Sequence, residues 1–173
     1  MLRRLHPLFL VLAVALLALF FANVEIQIEG ADGWASKLPV TFQIEGHWAL
    51  NLFWGGRPLT GYHVWIFSFM LHAFHLPLLF TGSWSIRLEA RAIACVMLFW
   101  VVEDLLWFAI NPAYGLSRLI HRQVSWHKHW LLGLPTDYWT FSICGSLLLW
   151  WSFRRPRAAG RPTLSADDPR ASR

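Results

Sequence analysis

The stretch that decides the fold is residues 90–110, ARAIACVMLFWVVEDLLWFAI, which carries no charged residue between Arg91 and Glu103. A bilayer core about 30 Å thick is crossed by about 20 mostly apolar helical residues. The stretch therefore predicts a transmembrane helix. The composition of the 173-residue chain agrees, since 56% of residues are hydrophobic and 14% are charged, against about 25% charged in soluble domains. A soluble enzyme and a disordered chain are both disfavoured.

Three other apolar runs resemble this one, and together they predict an all-α integral membrane protein. The spans are expected at about residues 7–23, 61–80, 90–110 and 137–153. They form a single transmembrane domain over residues 1–155. The remaining residues, 156–173, are rich in Pro, Arg, Ala and Ser and predict a disordered cytoplasmic tail.

The first span follows a basic start and ends in Phe20, Phe21 and Ala22, a poor cleavage site, so we expect an uncleaved signal anchor. Orientation follows the basic residues that flank the spans. The side richer in them is the side of both termini and of the connection between the second and third spans. We therefore expect a multi-pass protein of the cell inner (plasma) membrane with both termini in the cytoplasm.

The two outer connections predict a cap over the helices. Residues 24–29 and 40–45 alternate apolar and polar side chains, a pattern of two half-buried strands, which predicts a short β-hairpin. Asn111-Pro112 is expected to end the third span. Residues 116–132 can form an amphipathic helix that lies in the membrane interface and is stopped by Gly133 and Pro135.

The chemistry is expected around two adjacent acids inside the third span, Glu103 and Asp104. A charge at the bilayer centre costs at least about 2.5 kcal/mol, so both need partners. Imidazole and carboxylate ligands suit Zn, Fe, Cu or Mn. The sequence thus predicts a divalent transition metal held by His63, Glu103, Asp104, His127 and His129. Glu103 and Asp104 are the candidate catalytic residues.

A second interpretation of the same residues is a buried polar network without metal. In it Arg118 or Arg122 neutralises the two acids, and the histidines and tryptophans complete the hydrogen bonds. Asp137 is then expected to cap the N-terminus of the fourth helix. His72 and His75 lie three residues apart on the second span and are expected to be satisfied within the bundle.

Three functions follow from these interpretations. The leading hypothesis is a metal-binding membrane protein. Whether it is also a metal-dependent enzyme that acts at the outer leaflet is left open by the sequence. The alternative is a non-catalytic subunit or assembly factor of a larger membrane complex. The third is a small proton-coupled carrier, disfavoured because no repeated half and no broken helix is evident.

The expected partners are the lipid bilayer and either further copies of the chain or a larger membrane complex. Nucleic acid is not expected, because the 15 basic residues are not gathered into one patch. A haem within one copy is disfavoured, since the first, third and fourth spans contain no histidine.

Overall fold

A computed structural model describes residues 2–34, 38–120 and 123–154, without the side chains of residues 2–6. The predicted tail at 156–173 and the candidate partner Arg122 lie outside these residues. The described chain is mainly helical, with two small antiparallel sheets. The five α-helices are α1 Leu2–Glu29, α2 Trp48–Phe53, α3 Gly61–Thr81, α4 Ile86–Ile110 and α5 Thr136–Phe153. The strands are β1 Gln43–Ile44, β2 Leu59–Thr60, β3 Trp130–Leu131 and β4 Leu134–Pro135.

Three helices are long and apolar enough to cross a membrane, namely α1, α3 and α4. The first three predicted runs are therefore helices of membrane-spanning length. The most enclosed of them is α4, which packs between α1 and α5 and also contacts α3. The fourth run, α5, has 18 residues and is not one of these three helices, and its first turn contains the polar residues Thr136, Asp137 and Tyr138.

Small residues let the helices approach one another closely. Ala18 and Ala22 of α1 are fully buried in the same clusters as Phe99 and Phe108 of α4. Gly145 of α5 lies directly against α4, as described below. Small residues at helix contacts are the usual means of close packing in membranes, where van der Waals contact replaces the hydrophobic effect.

The predicted hairpin of residues 24–29 with 40–45 is wrong. Residues 24–29 continue α1 to Glu29, and Gln43–Ile44 pairs with Leu59–Thr60 instead. A helix satisfies its backbone hydrogen bonds internally where the chain leaves the apolar layer. Helical continuation also places Glu25 and Glu29, four residues apart, on one face of α1.

The predicted interfacial helix over residues 116–132 is also wrong. One 3₁₀ turn, Leu116–Arg118, is followed by turns that bury Leu119, Val124 and His127. Residues that insert into the bundle at these uneven intervals do not lie on one helical face. The residues predicted to end that helix, Gly133 and Pro135, belong instead to a β-hairpin of β3 and β4. In its turn Leu132 and Gly133 both have positive φ. The predicted end of the third span is confirmed, since α4 ends at Ile110.

The contact of Gly145 with α4 makes a testable prediction. A Cβ atom added at Gly145 would lie 3.1 Å from Leu98 Cγ and 3.3 Å from Met97 Cβ. We expect Gly145→Leu to separate the helices and to lower the free energy of unfolding by about 1–3 kcal/mol. Thermal unfolding in detergent measures this. Ile143→Leu on the exposed side of the same helix is the control, and equal melting temperatures for both variants would contradict the packing described.

Candidate functional site

A polar cavity lies at the cap end of the bundle, defined as the end at which α1 and α4 finish and α3 and α5 begin. Its volume is about 50 Å³, enough for roughly three to five water molecules at about 10–15 Å³ each. All four long helices contribute to its walls, together with the segments that follow α1 and α2. The carboxyl side chains in these walls are Glu25, Glu29, Glu103, Asp104 and Asp137.

Four charged or titratable side chains close one side of the cavity in a ring. This charge ring consists of Arg57, Asp104, His127 and Asp137. Arg57 Nη2 donates a hydrogen bond to Asp137 Oδ2 at 2.5 Å, and Arg57 Nη1 lies 3.6 Å from Asp104 Oδ2. His127 Nε2 lies 3.5 Å from Asp104 Oδ2, and its Nδ1 lies 3.6 Å from Asp137 Oδ1. Each aspartate thus faces both the guanidinium and the imidazole.

Two further contacts fix the charge ring. Tyr138 donates its hydroxyl hydrogen to Asp104 Oδ2 at 2.6 Å. The guanidinium of Arg57 lies over the rings of Trp34 and Trp54, 4.2 and 5.2 Å from their centroids. Stacking of this kind suits the planar, weakly hydrated guanidinium. Arg57 is consequently held on its faces by indoles and at its edge by carboxylates.

Glycine residues bring the two outer connections together around the charge ring. A Cβ atom at Gly55 would lie 2.9 Å from Asp137 Oδ1, and one at Gly56 would lie 2.9 Å from His129 Nε2. Both glycines have positive φ, which they adopt without steric cost. The carbonyl of Gly55 accepts hydrogen bonds from the backbone N–H groups of Lys128 and His129. The backbone next to His127 is anchored in this way.

The connection after α4 is tied to the end of α1. Asn111 donates a side-chain hydrogen bond to the carbonyl of Gly30 at 2.9 Å, and the hydroxyl of Tyr114 donates to the carbonyl of Ala31 at 3.0 Å. Burial, followed by the negative charge of Asp32, raises the pKa of Tyr114. Its hydroxyl therefore stays a donor at neutral pH and keeps this wall of the cavity in place.

The opposite wall contains a second acidic group, the glutamate pair of Glu25 on α1 and Glu103 on α4. Tyr62 on α3 donates its hydroxyl hydrogen to Glu25 Oε1 at 2.9 Å. Glu25 and Glu103 both line the cavity, and their carboxyls are close enough to interact. Glu103 is 3% exposed, and among the described residues its Oε1 has no hydrogen-bond partner. The charge ring contains the cation Arg57, whereas among the described residues no cation contacts the glutamate pair.

The five predicted ligands are not brought to one point. Glu103 and Asp104 both line the cavity, and His127 contacts Asp104. His63 lines the cavity elsewhere, with Nδ1 2.7 Å from Thr60 Oγ1 and its ring stacked on Trp34. His129 is exposed, 3.4 Å from Asn51 Oδ1.

Within residues 2–34, 38–120 and 123–154, no group of three or more His, Cys, Asp or Glu side chains is arranged to hold a metal ion. The metal hypothesis therefore receives no support from the geometry and stays a prediction. Arg57 lies where a cation shared by Asp104 and Asp137 would sit, which is the physical reason that the polar network is the better description.

The partners predicted for that network are partly wrong. Arg118 is exposed and donates to the carbonyl of Ala113, whereas Arg57 pairs with Asp104 and, among the described residues, no cation pairs with Glu103. Asp137 does not cap α5, because the N-cap position is Pro135. His75 is satisfied within the bundle as predicted, since its Nδ1 lies close to the carbonyl of Leu71 and its Nε2 lies 3.0 Å from Glu89 on α4. His72 is exposed and contacts only the carbonyl of Ser68 on its own helix among the described residues, so the prediction is wrong for it.

Sequence reasoning missed Arg57 and Glu25. Arg57 follows two glycines in a turn and precedes Pro58, so it resembled a surface residue. The spacing of Glu25 and Glu29 at the end of an apolar run was the available signal for Glu25. Residues four apart lie on the same face of a strand and of a helix, so this spacing fits both structures, and the period-two alternation of residues 24–29 favours the strand.

Comparison of the chain with protein-family models, curated proteins and solved structures finds no match. The class of the protein is therefore stated from its fold and its site alone. It is a helical protein with three helices suited to crossing a membrane, and it holds a carboxyl-rich cavity beneath an irregular cap.

The charge ring predicts a large effect of removing Arg57. Arg57→Met leaves the buried Asp137 and the partly buried Asp104 facing one imidazole, and loss of one partner of a buried ion pair costs roughly 3–5 kcal/mol. We expect the melting temperature in detergent to fall sharply, and we expect Asp137→Asn to restore part of the loss when the two changes are combined. Arg118→Met is the control at an exposed arginine. Similar stabilities of the two arginine variants would show that the ring does not hold the cap.

Proposed function

We propose that α5 is a fourth transmembrane helix and that both termini lie in the cytoplasm. An α-helix of 18 residues is about 27 Å long, close to the thickness of the apolar layer. Arg87 donates to the carbonyl of Trp151, and Arg91 donates to the carbonyl of Ser152. The basic start of α4 thus shares one end of the bundle with the end of α5. The positive-inside rule supports a cytoplasmic position for this end of an inner-membrane protein and an outward position for the cavity.

Reporter fusions test this topology. Alkaline phosphatase fused after Arg173 is expected to be inactive and green fluorescent protein at the same place to be fluorescent, because only the latter matures in the cytoplasm. Fusions after Gly46, in the cap, are expected to give the opposite pair of results. Phosphatase activity after Arg173 would contradict the four-helix arrangement.

We propose that the protein is a small proton-coupled carrier whose cavity exchanges a proton for a ligand. The observation that carries the proposal is the buried Oε1 of Glu103, which lines the cavity and, in the part of the chain that the structure describes, has no hydrogen-bond partner. An unpaired buried acceptor costs about 1–3 kcal/mol, more when charged. The simplest explanation for an unpaired acceptor at this position is that a proton or a ligand binds to it.

The glutamate pair supports proton binding. An ionised carboxylate only accepts hydrogen bonds, so a bond between two carboxyls needs a proton on one of them. The groups that face Glu103 from neighbouring elements determine whether that proton stays. Those that line the cavity with it are Glu25 and Glu29 on α1, Asp104 on α4, His63 on α3, Asp137 and Tyr138 on α5, and Arg57 in the cap. Tyr62 contacts Glu25, and His127 contacts Asp104. Because Arg57 and His127 contact the aspartates, a proton or a ligand is left to neutralise the glutamates.

The absence of an internal repeat weighs against a carrier that works as one copy. A homo-oligomer removes this objection, because a second copy supplies the second half. The exposed apolar side chains on α1, α3 and α5 are suited to lipid and equally to another copy. The metal-dependent enzyme and the subunit of a larger complex stay predictions, and the placement of His63 and His129 away from Asp104 makes the enzyme the weaker proposal.

Infrared spectroscopy tests proton binding without a ligand. In lipid nanodiscs at neutral pH, the wild-type protein is expected to show the carbonyl stretch of a protonated carboxyl, and Glu103→Gln is expected to lose or shift it. Glu45→Gln is the matched control, since Glu45 is exposed in the cap and outside the cavity. A spectrum without this band in the wild type, or an unchanged band in Glu103→Gln, would exclude the glutamate pair as the proton site.

A further inference from the structure

We propose that the ligand of the cavity is a small primary ammonium compound that also carries an oxygen acceptor, either free or as the headgroup of a lipid. This inference rests on the proposed function and names the class of ligand that replaces the proton. The chemistry is that of an amino alcohol. Four features of the cavity carry it: the balance of charge, the aromatic walls, the unpartnered polar atoms and the volume.

The balance of charge favours a cation. Glu25 and Glu103 line the cavity, whereas the guanidinium of Arg57, which also lines it, is bound to Asp137 at 2.5 Å. A cation that enters beside Glu103 replaces the positive charge of the shared proton, which leaves to water. One positive charge enters and one departs, so the cavity keeps the same net charge and the cost of a bare carboxylate in the bilayer is avoided.

The aromatic walls are suited to the same charge. The tryptophans that line the cavity are Trp34, Trp54, Trp100, Trp107 and Trp126. Cations are attracted to the faces of indole rings, most strongly where water is excluded. The cavity already contains one example, because the guanidinium carbon of Arg57 lies 4.2 Å from the ring centroid of Trp34.

The unpartnered atoms distinguish a primary ammonium from other cations. Within the described residues, the buried atoms without a hydrogen-bond partner are two carboxylate oxygens, Glu103 Oε1 and Asp137 Oδ1, both ring nitrogens of His127, and the indole N–H groups of Trp54, Trp100 and Trp107. Asp137 and His127 belong to the charge ring, so the free acceptor outside that ring is Glu103 Oε1. A primary ammonium supplies N–H donors to Glu103, which a quaternary ammonium lacks. A hydroxyl or ester oxygen next to it accepts from an indole. A bare metal ion satisfies the acceptor and leaves the indole donors unpaired.

The volume limits the ligand to a few heavy atoms. A cavity of about 50 Å³ that holds roughly three to five waters accepts a group of the size of 2-aminoethanol. The same group terminates phosphatidylethanolamine, and the cavity lies at the end of the bundle where headgroups of a bilayer would be found. Both sources therefore present identical chemistry to Glu103.

The test uses the full-length protein in nanodiscs of phosphatidylcholine, with 2-aminoethanol as the probe. Calorimetry measures binding, and a pH indicator in weak buffer measures proton release. We expect the wild type and Glu45→Gln to bind the probe and release a proton. We expect Glu103→Gln to bind it about 10- to 100-fold more weakly, since hydrogen bonds to charged groups contribute about 1.5–3 kcal/mol. Ethylene glycol, the neutral analogue of the same size, is expected not to bind.

A second arm separates the two sources. If the natural ligand is free, the affinity for 2-aminoethanol is expected to be the same in discs that contain phosphatidylethanolamine. If it is a headgroup, that lipid is expected to compete with the probe in the wild type and to remain bound in native mass spectrometry, but not in Glu103→Gln.

The inference is overturned if ethylene glycol binds as well as 2-aminoethanol, or if Glu103→Gln binds the probe like the wild type. It is also overturned if the wild type binds neither the probe nor the lipid. A protonated-carboxyl band that depends on Glu103, together with failure to bind either, would leave the proton site standing and reject the ammonium ligand alone. Absence of the protonated-carboxyl band from the wild-type protein would reject the proposed function.

Discussion

The charge ring of Arg57, Asp104, His127 and Asp137 is the interaction on which the cap end of the molecule depends. It joins α4 and α5 to both outer connections, which have few regular backbone hydrogen bonds of their own. Charges so far from bulk water are tolerated only when each has a partner of opposite sign and good geometry. The ring meets that condition at Arg57, where a 2.5 Å hydrogen bond to Asp137 is combined with stacking on indole rings. The ring therefore ties both connections of the cap to α4 and α5.

The same ring gives the aspartates and the glutamates of the cavity different roles. Because Arg57 and His127 contact the aspartates, the glutamate pair on the opposite wall has no matching cation among the contacts described for it. The adjacent residues Glu103 and Asp104 therefore have different roles, since successive side chains on a helix point about 100° apart. Asp104 faces the cap and is paired, whereas Glu103 faces α1 and keeps an open acceptor. Our proposals for proton exchange and for an ammonium ligand both rest on this difference.

The helices could be predicted from the sequence, and the cap could not. Long apolar runs can exist in a bilayer as helices, so residues 61–80 and 90–110 fix their own structure. Residues 24–29 have a pattern that fits a strand and a helix equally well, and continuity with α1 selects the helix. In residues 116–132 the buried positions are set by which side chains reach the bundle, so their spacing follows no local period. Short connections of this kind take their structure from the surface they cover.

For the site, the sequence by itself determined that two acids stand inside an apolar helix and that such acids need partners. It also predicted His127 near them, because both were expected at the same end of the bundle. Only the tertiary structure decided which partners they have: Arg57 rather than Arg118 for Asp104, and Glu25 rather than a histidine for Glu103. The reason is that partner choice depends on distances between segments far apart in the chain. Those distances are set by how closely α1, α4 and α5 pack, through residues such as Ala22 and Gly145.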